Sequence, residues 1–353
     1  MEGKMEEHRD LALVMAWPDQ TARGDERWMA VLKQLGIVKN LNFKVGHAAM
    51  VLIHRQTGTL SYFDFGRYIT PRGYGRARSA ESDPRLTLET KARVDHDGNI
   101  TNIDTILDEL QQIEYATHGG GRLFFSITTG LSYHKAKRFA TAIVDRGAIK
   151  YGAIANGNNS CSRFVAQVLL AGFTSRHPAR RRLTLPECIK PSPMSNVVNA
   201  SPDTTVYCYH EDRLQILEMN RWRSLGFQLD QLRANFSTEK SKQLPCDGKP
   251  GSMAEPERPE SVPVAAQWLG GIGEGAWFLL ERETGSGPLL VIKYAASGSE
   301  EYRIACTSDH PVHPEAPHRF TYRCHYKYHT VMQYGKEMVL KTIDKPAAQA
   351  KIA

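Results

Sequence analysis

A strand, turn and strand between residues 45 and 68 limits this chain more than any other part of its sequence. Residues 45–54 are apolar and β-rich, Gln56-Thr57-Gly58-Thr59 supplies a turn, and residues 60–68 run back, which together read as a β-hairpin. Side chains along a strand face opposite sides in turn. With the turn centred on Thr57-Gly58, His47 falls opposite Tyr68, and Tyr68, Gly66, Asp64 and Tyr62 share the face of His47. Asp64 is the one carboxylate of that set, and a one-residue slip would send it to the other face.

The apolar spacing around the hairpin switches between the two regular periods. Residues 11–16 read as a buried strand ended by Trp17-Pro18-Asp19, and residues 25–35 carry Trp28, Met29, Val31, Leu32 and Leu35 at helical spacing before Gly36. Residues 86–103 suggest a second hairpin turning at Asp97-Gly98, followed by an amphipathic helix to about Tyr115. A strand over 122–128 precedes a helix that Ser132 caps and that runs to about Arg146. The Gly/Asn-rich loop 151–159 then delivers Ser160, a cap for a helix over 161–171 with Phe164, Val165, Val168 and Leu169 as its apolar stripe.

Residues 243–262, rich in Pro, Gly and charge, read as an exposed linker. Beyond them, 265–280, 289–294, 302–307 and 319–333 read as strands. The expected fold class is α+β: a domain of antiparallel sheet and helices over 1–242, a linker over 243–263, and a small all-β accessory domain over 264–353.

Cys161 has the address of a nucleophile. A thiol attacks as thiolate, and the unpaired N–H groups and dipole of a helix start favour negative charge there. The same N–H groups can hold an acyl oxyanion. The base must come from elsewhere, and His47, behind Gly46 at a strand start, is the candidate because imidazole exchanges a proton near neutrality. Asp64 is the candidate to bond the second ring nitrogen, with pairing to Arg67 or a loop arginine as its alternative.

The quoted residues resemble the permuted branch of the NlpC-type papain-like superfamily, which includes lecithin:retinol acyltransferase-like proteins. The resemblance covers roughly residues 11–173, with Gly46-His47 as the Gly-His strand and Asn159-Ser160-Cys161 as the Asn-x-Cys helix start. It implies a permuted papain-like fold, Cys161 as nucleophile, His47 as base and Asp64 as the orienting polar residue. It implies a cysteine amidase or peptidase working through a thioacyl intermediate on a peptide-like or acylated substrate, or an acyltransferase on the same fold. The stretch YFDFGRYITPRGYGRARS also resembles a set of uncharacterised bacterial proteins of the same two-domain layout, which adds no activity.

Other features are weighed against plainer roles. Tyr151, Tyr62, Arg72 and Arg76 are candidates to bind substrate, the arginines through bidentate donors, with packing or a solvated loop as the alternatives. The run RHPARRR, residues 176–182, reads as a solvated connector, so nucleic acid is not the expected partner. Cys324, His325 and His329 lack a paired Cys-x-x-Cys, and the run Gly270-Gly271-Ile272-Gly273-Glu274-Gly275 lacks the P-loop lysine and the dinucleotide fingerprint. No metal or cofactor is expected, and the glycine run reads as a tight β turn.

The composition is that of a globular protein, 41% hydrophobic and 24% charged, and its net charge of +7 permits an anionic partner without naming one. A non-catalytic binding module for such a partner is the rival from another class. Six scattered cysteines, a start without the features of a signal peptide and no long apolar run point to a cytoplasmic protein with reduced thiols. On this reading the β domain positions substrate or a partner, and its deletion is expected to spare turnover of a small substrate.

Overall fold

The computed structural model describes residues 8–24, 27–152, 157–188, 191–283 and 287–343. Its first domain is built on one sheet. The strands are β1 (Asp10–Trp17), β2 (His47–Ile53), β3 (Leu60–Gly66), β4 (Tyr74–Ser79), β5 (Leu123–Leu131), β6 (Ile149–Lys150), β7 (Thr205–His210) and β8 (Arg213–Glu218). They lie in the order β8-β7-β5-β1-β2-β3-β4-β6, with every pair antiparallel.

The helices are α1 (Arg27–Gln34), α2 (Ile103–Gln112), α3 (Glu114–Thr117), α4 (Tyr133–Asp145), α5 (Cys161–Gly172), α6 (Pro178–Thr184), α7 (Pro193–Ala200) and α8 (Arg221–Arg233). Ala12, Val14, Ala48, Met50 and Phe63 pack on α4, α5 and α7, while Leu13, Met15, Val51 and Tyr62 pack on α2 and the loop after β4. The sheet is covered on both faces. That is why β1 and β2 are continuous apolar runs rather than alternating ones.

The hairpin of β2 and β3 forms, with a different centre. Ala49 pairs with Asp64 and Ile53 with Leu60, so the turn lies one residue earlier than the sequence suggests, closed by His54 and Thr59 with Gly58 at φ +68°. Moving the centre by one residue moves the register by two, so Asp64 and Tyr62 keep the face of His47. The position opposite His47 becomes Gly66 rather than Tyr68.

The second hairpin expected over 86–103 is reduced to one bridge, Val94 with Ile100, around the Asp95–Asn99 turn. Leu86, Ala92 and Ile100 are buried there as a lid on the sheet. The helix expected to reach Tyr115 breaks into α2 and α3, and α3 ends at His118 in the left-handed region.

After the first domain comes a separate, small, all-β domain with a barrel-like sheet. Its strands are β9 (Gln267–Leu269), β10 (Ala276–Arg282), β11 (Leu289–Ala295), β12 (Glu300–Ser308), β13 (His318–Phe320), β14 (Tyr328–Gln333) and β15 (Lys336–Thr342), in the order β9-β10-β11-β12-β15-β14-β13. The Gln267 side chain bonds the backbone of His318 and Phe320, tying one edge of the sheet to the other. Trp277 and Phe278 face opposite ways from β10 and are both buried, Phe278 on the sheet's inner core and Trp277 under Val262 and Ala266.

Most residues of the stretch 243–262 are exposed, and a few anchor it. Leu244, Asp247 and Val262 are buried, Asp247 accepts from Lys33 and from the amide of Leu41, and Asn42 donates to the carbonyls of Pro245 and Cys246. The basic run is likewise structural: within α6 and its flank, Arg180 donates to the Leu170 and Phe173 carbonyls at the end of α5, and Arg182 to those of Asn199 and Ser201.

Candidate active site

Ser160 accepts a hydrogen bond from the Arg163 amide at 3.3 Å, and the helix's own bonding starts with the Phe164 amide on the Ser160 carbonyl at 2.9 Å. The amides of Cys161 and Ser162 therefore stand in a first turn that offers them no intrahelical acceptor. Cys161 sits among these donors, nearly buried.

His47 is brought to it by the start of β2. Gly46 has φ +76°, and a Cβ there would lie 2.9 Å from both the Trp17 carbonyl and the Pro18 Cα, so only glycine lets the chain turn so closely past the end of β1. The Trp17 ring, across from His47 in register, stacks on the imidazole with centroids 5.8 Å apart.

The imidazole bridges two partners. Its Nε2 lies 3.5 Å from Asp64 Oδ2 and 3.2 Å from the Tyr68 hydroxyl, and Cys161 also acts on the ring. Burial works against charge on the ring, but the bonds and charges of Asp64 and Cys161 outweigh it and raise His47 to about 9. Burial also pushes the Cys161 thiol up. The His47 bond and charge, with the Ser162 side chain and the Ala48 N–H, overcome that and bring it below an ordinary thiol. Such a pair titrates as a unit, and these directions favour thiolate beside imidazolium near neutrality.

Asp64 is wholly buried on β3. Burial raises its pKa, and the Arg78 charge followed by the His47 bond more than reverses this, keeping it an anion. Arg78 stands opposite Asp64 in the β3–β4 register and grips it with two bonds, Nε to Oδ1 at 3.1 Å and Nη2 to Oδ2 at 2.6 Å. It also donates to the Ala116 carbonyl and to Asp83, and its guanidinium lies 3.6 Å from the centre of the Tyr68 ring. Gly66 explains how Tyr68 gets there: a Cβ at 66 would sit 2.1 Å from the tyrosine ring, so the missing side chain opposite His47 is the space Tyr68 fills.

A cavity of about 670 Å³ opens onto Cys161. Gly46, Arg67 and Tyr151 line it near the thiol, and Trp28, Phe43 and Leu232 form apolar walls further out. Tyr151 stacks on Phe65 and lies under the Arg67 guanidinium. Arg72 is exposed in the loop before Gly73 and does not line the cavity.

Two more of the residues expected at the substrate are, like Arg72, placed away from the cavity. Tyr62 is buried behind the site, with its hydroxyl donating to Asp64 at 3.3 Å, because alternation keeps it on the Asp64 face but one pair deeper. Arg76 is committed to the β domain, where it donates to the carbonyls of Cys324 and Tyr322.

Arg78 is the support that sequence reasoning left in a loop, whereas Tyr68 was placed on the strand and face of His47 without a role. Reading residues 74–79 as a strand rather than a Gly/Arg loop would have set Arg78 opposite Asp64. Of the Tyr151–Asn159 loop, residues 153–156 lie outside the described residues. Among the described residues no group of three or more His, Cys, Asp or Glu is placed to hold a metal, and no helix is long and apolar enough to cross a membrane.

A buried thiol, imidazole and carboxylate in series, set between a strand and a helix start of an α+β domain, form the combination on which cysteine-dependent acyl chemistry is built. Comparison with known proteins adds a particular likeness. Residues 12–178 match the family model described as type VI secretion system effector TseH-like, and residues 266–343 match that of the DUF6695 C-terminal domain. The crystal structure of the type VI secretion system effector TseH aligns with 60% of this chain and 99% of its own at 18% identity, with a TM-score of 0.41. No curated protein matches the chain.

Proposed function

We propose that this protein is a cysteine hydrolase that cleaves an amide, with acyl transfer as the same chemistry completed by another acceptor. The observation that carries the reading is the His47 imidazole with its Nε2 3.5 Å from the buried Asp64 carboxylate and its protonation tied to that of Cys161. Cys161 Sγ attacks the carbonyl carbon, and the oxygen gains charge beside the first-turn amides of α5. As the C–N bond breaks, His47 gives its proton to the leaving amine, which leaves a thioacyl enzyme and a neutral imidazole. Water then attacks the thioester, His47 takes its proton, and the acid and the thiolate separate.

Asp64, on this reading, fixes the ring orientation and the Nε2 proton, while Arg78 and Tyr62 keep Asp64 in place. The likeness over residues 12–178 supports a second element of the proposal, that the hydrolase is a type VI secretion effector. Its work would then lie outside the cell that makes it, rather than in the cytoplasm that the sequence suggests.

Iodoacetamide labelling of each cysteine across pH, read by mass spectrometry, is the test. Cys161 should label well below pH 8.5, ahead of the other five cysteines. Turnover of an amide substrate should be absent in Cys161→Ala. It should also decline as pH rises through about 9, where His47 loses the proton that the leaving amine needs. Uniform labelling of all cysteines would sink the proposal.

A further inference from the structure

The glycine run of the C-terminal domain is not an isolated turn. It lies against the end of β3. The Gly273 amide donates to the Arg67 carbonyl at 2.9 Å, the Ile69 amide donates to the Glu274 carbonyl at 2.8 Å, and Tyr68 and Glu274 form a parallel bridge. The loop is therefore hydrogen-bonded on both sides of Tyr68, the residue whose hydroxyl touches His47 and Asp64.

The glycines are what permit this approach. A Cβ on Gly271 would lie 2.6 Å from the Ile69 amide and 2.8 Å from the Arg67 carbonyl, contacts with backbone that no rotamer change relieves. Between the glycines the loop presents two side chains to the first domain. Ile272 lines the cavity that opens onto Cys161. Glu274, with 11% of its side chain exposed, reaches the supports of the site: it bonds His118 at 3.1 Å and pairs with Arg85 at 2.9 Å and with Arg78 at 3.6 Å. His118 in turn stacks on the Tyr68 ring at 4.7 Å.

We infer that the Gly270–Gly275 loop completes the active site, with Glu274 a positioning residue that acts through Tyr68 and Arg78, and with Ile272 a wall against which substrate lies. The inference rests on the hydrolase reading. It reverses the expectation that the β domain is dispensable for small substrates, since what that domain supplies is part of the site itself.

Two variants of the full chain test it, both read by the pH profile of Cys161 alkylation with iodoacetamide. Gly271→Ala should drive the loop off the strand end, loosen Tyr68 and slow labelling at pH 6 by about tenfold, one pH unit's worth of thiolate. Glu274→Gln keeps the loop's volume and stands as the variant that folds if the first does not. Glu274 pairs with Arg78, which grips Asp64, so loss of the Glu274 charge leaves more of the Arg78 charge uncompensated beside the imidazole. That loss should lower the pH at which the pair loses the imidazolium proton.

Both effects should shrink when Tyr68→Phe is already present, because the path through the hydroxyl is then gone. A fall in melting temperature with an unchanged Cys161 profile would make the loop a structural contact only and overturn the inference. So would full effects in the Tyr68→Phe background. If wild-type Cys161 shows no activation at all, the hydrolase reading fails first, which separates the two outcomes.

Discussion

His47→Ala is expected to slow Cys161 alkylation at pH 6 by about a hundredfold or more, the span between activated and ordinary thiols. The sign follows from the opposing influences on the thiol. Burial, the largest, raises its pKa, and the His47 bond and charge are the next two, both lowering it. Removing the imidazole leaves burial ahead, so Cys161 should become a worse nucleophile than a free cysteine, and its labelling should rise only at alkaline pH. The fold should survive, because His47 keeps 12% of its side chain exposed and anchors no core cluster. Circular dichroism of the variant checks this, and added imidazole should restore part of the rate if only the base is missing.

Arg78→Met should destabilise the protein by about 3 to 5 kcal/mol, measured by urea denaturation, because it leaves a buried carboxylate without its partner. Asp64 is fully buried, and Arg78 is its strongest countercharge. The loss should depend on pH. With Arg78 present, Asp64 titrates below its unfolded value, so its stabilising contribution holds above that value and fades as pH falls through the folded one. In the variant burial is opposed only by the His47 bond and charge, so the Asp64 pKa rises, and the protein should regain stability relative to wild type as pH drops and the acid becomes neutral. The double change Arg78→Met with Asp64→Asn should recover a large part of the loss, since it removes the uncompensated charge as well.

The sequence pointed to the proposed pair of His47 and Cys161 more readily than to its surroundings, for a physical reason. His47 and Cys161 stand at element boundaries, a glycine before a strand and a cap before a helix, and boundaries are written in local residue types. Asp64 was legible through alternation alone, which tolerates a register error of two, as occurred here. Arg78 and Glu274 were not legible because their roles depend on pairing between distant segments. Arg78 needs β4 to be recognised as a strand, and Glu274 needs the two domains to touch, whereas Tyr68 was legible as a residue of the His47 face but not as one that fills the gap at Gly66. In the stretch 243–262 the proline and charge content records the lack of regular structure, while the bonds from Asp247 to Lys33 and Leu41 that anchor it belong to tertiary structure and left no local signal.

The charges shared between the domains also impose an order in time. Arg78, Arg85 and Asp83 belong to the first part of the chain, whereas Glu274, Lys293 and Glu301, which meet them in the same buried cluster, are made near its end. A ribosome releases the histidine and the cysteine long before it supplies these counter-ions. The emerging chain thus holds its reactive residues early and its balance of charge late. A translation product that stops short of residue 274 has both members of the pair in an unfinished setting.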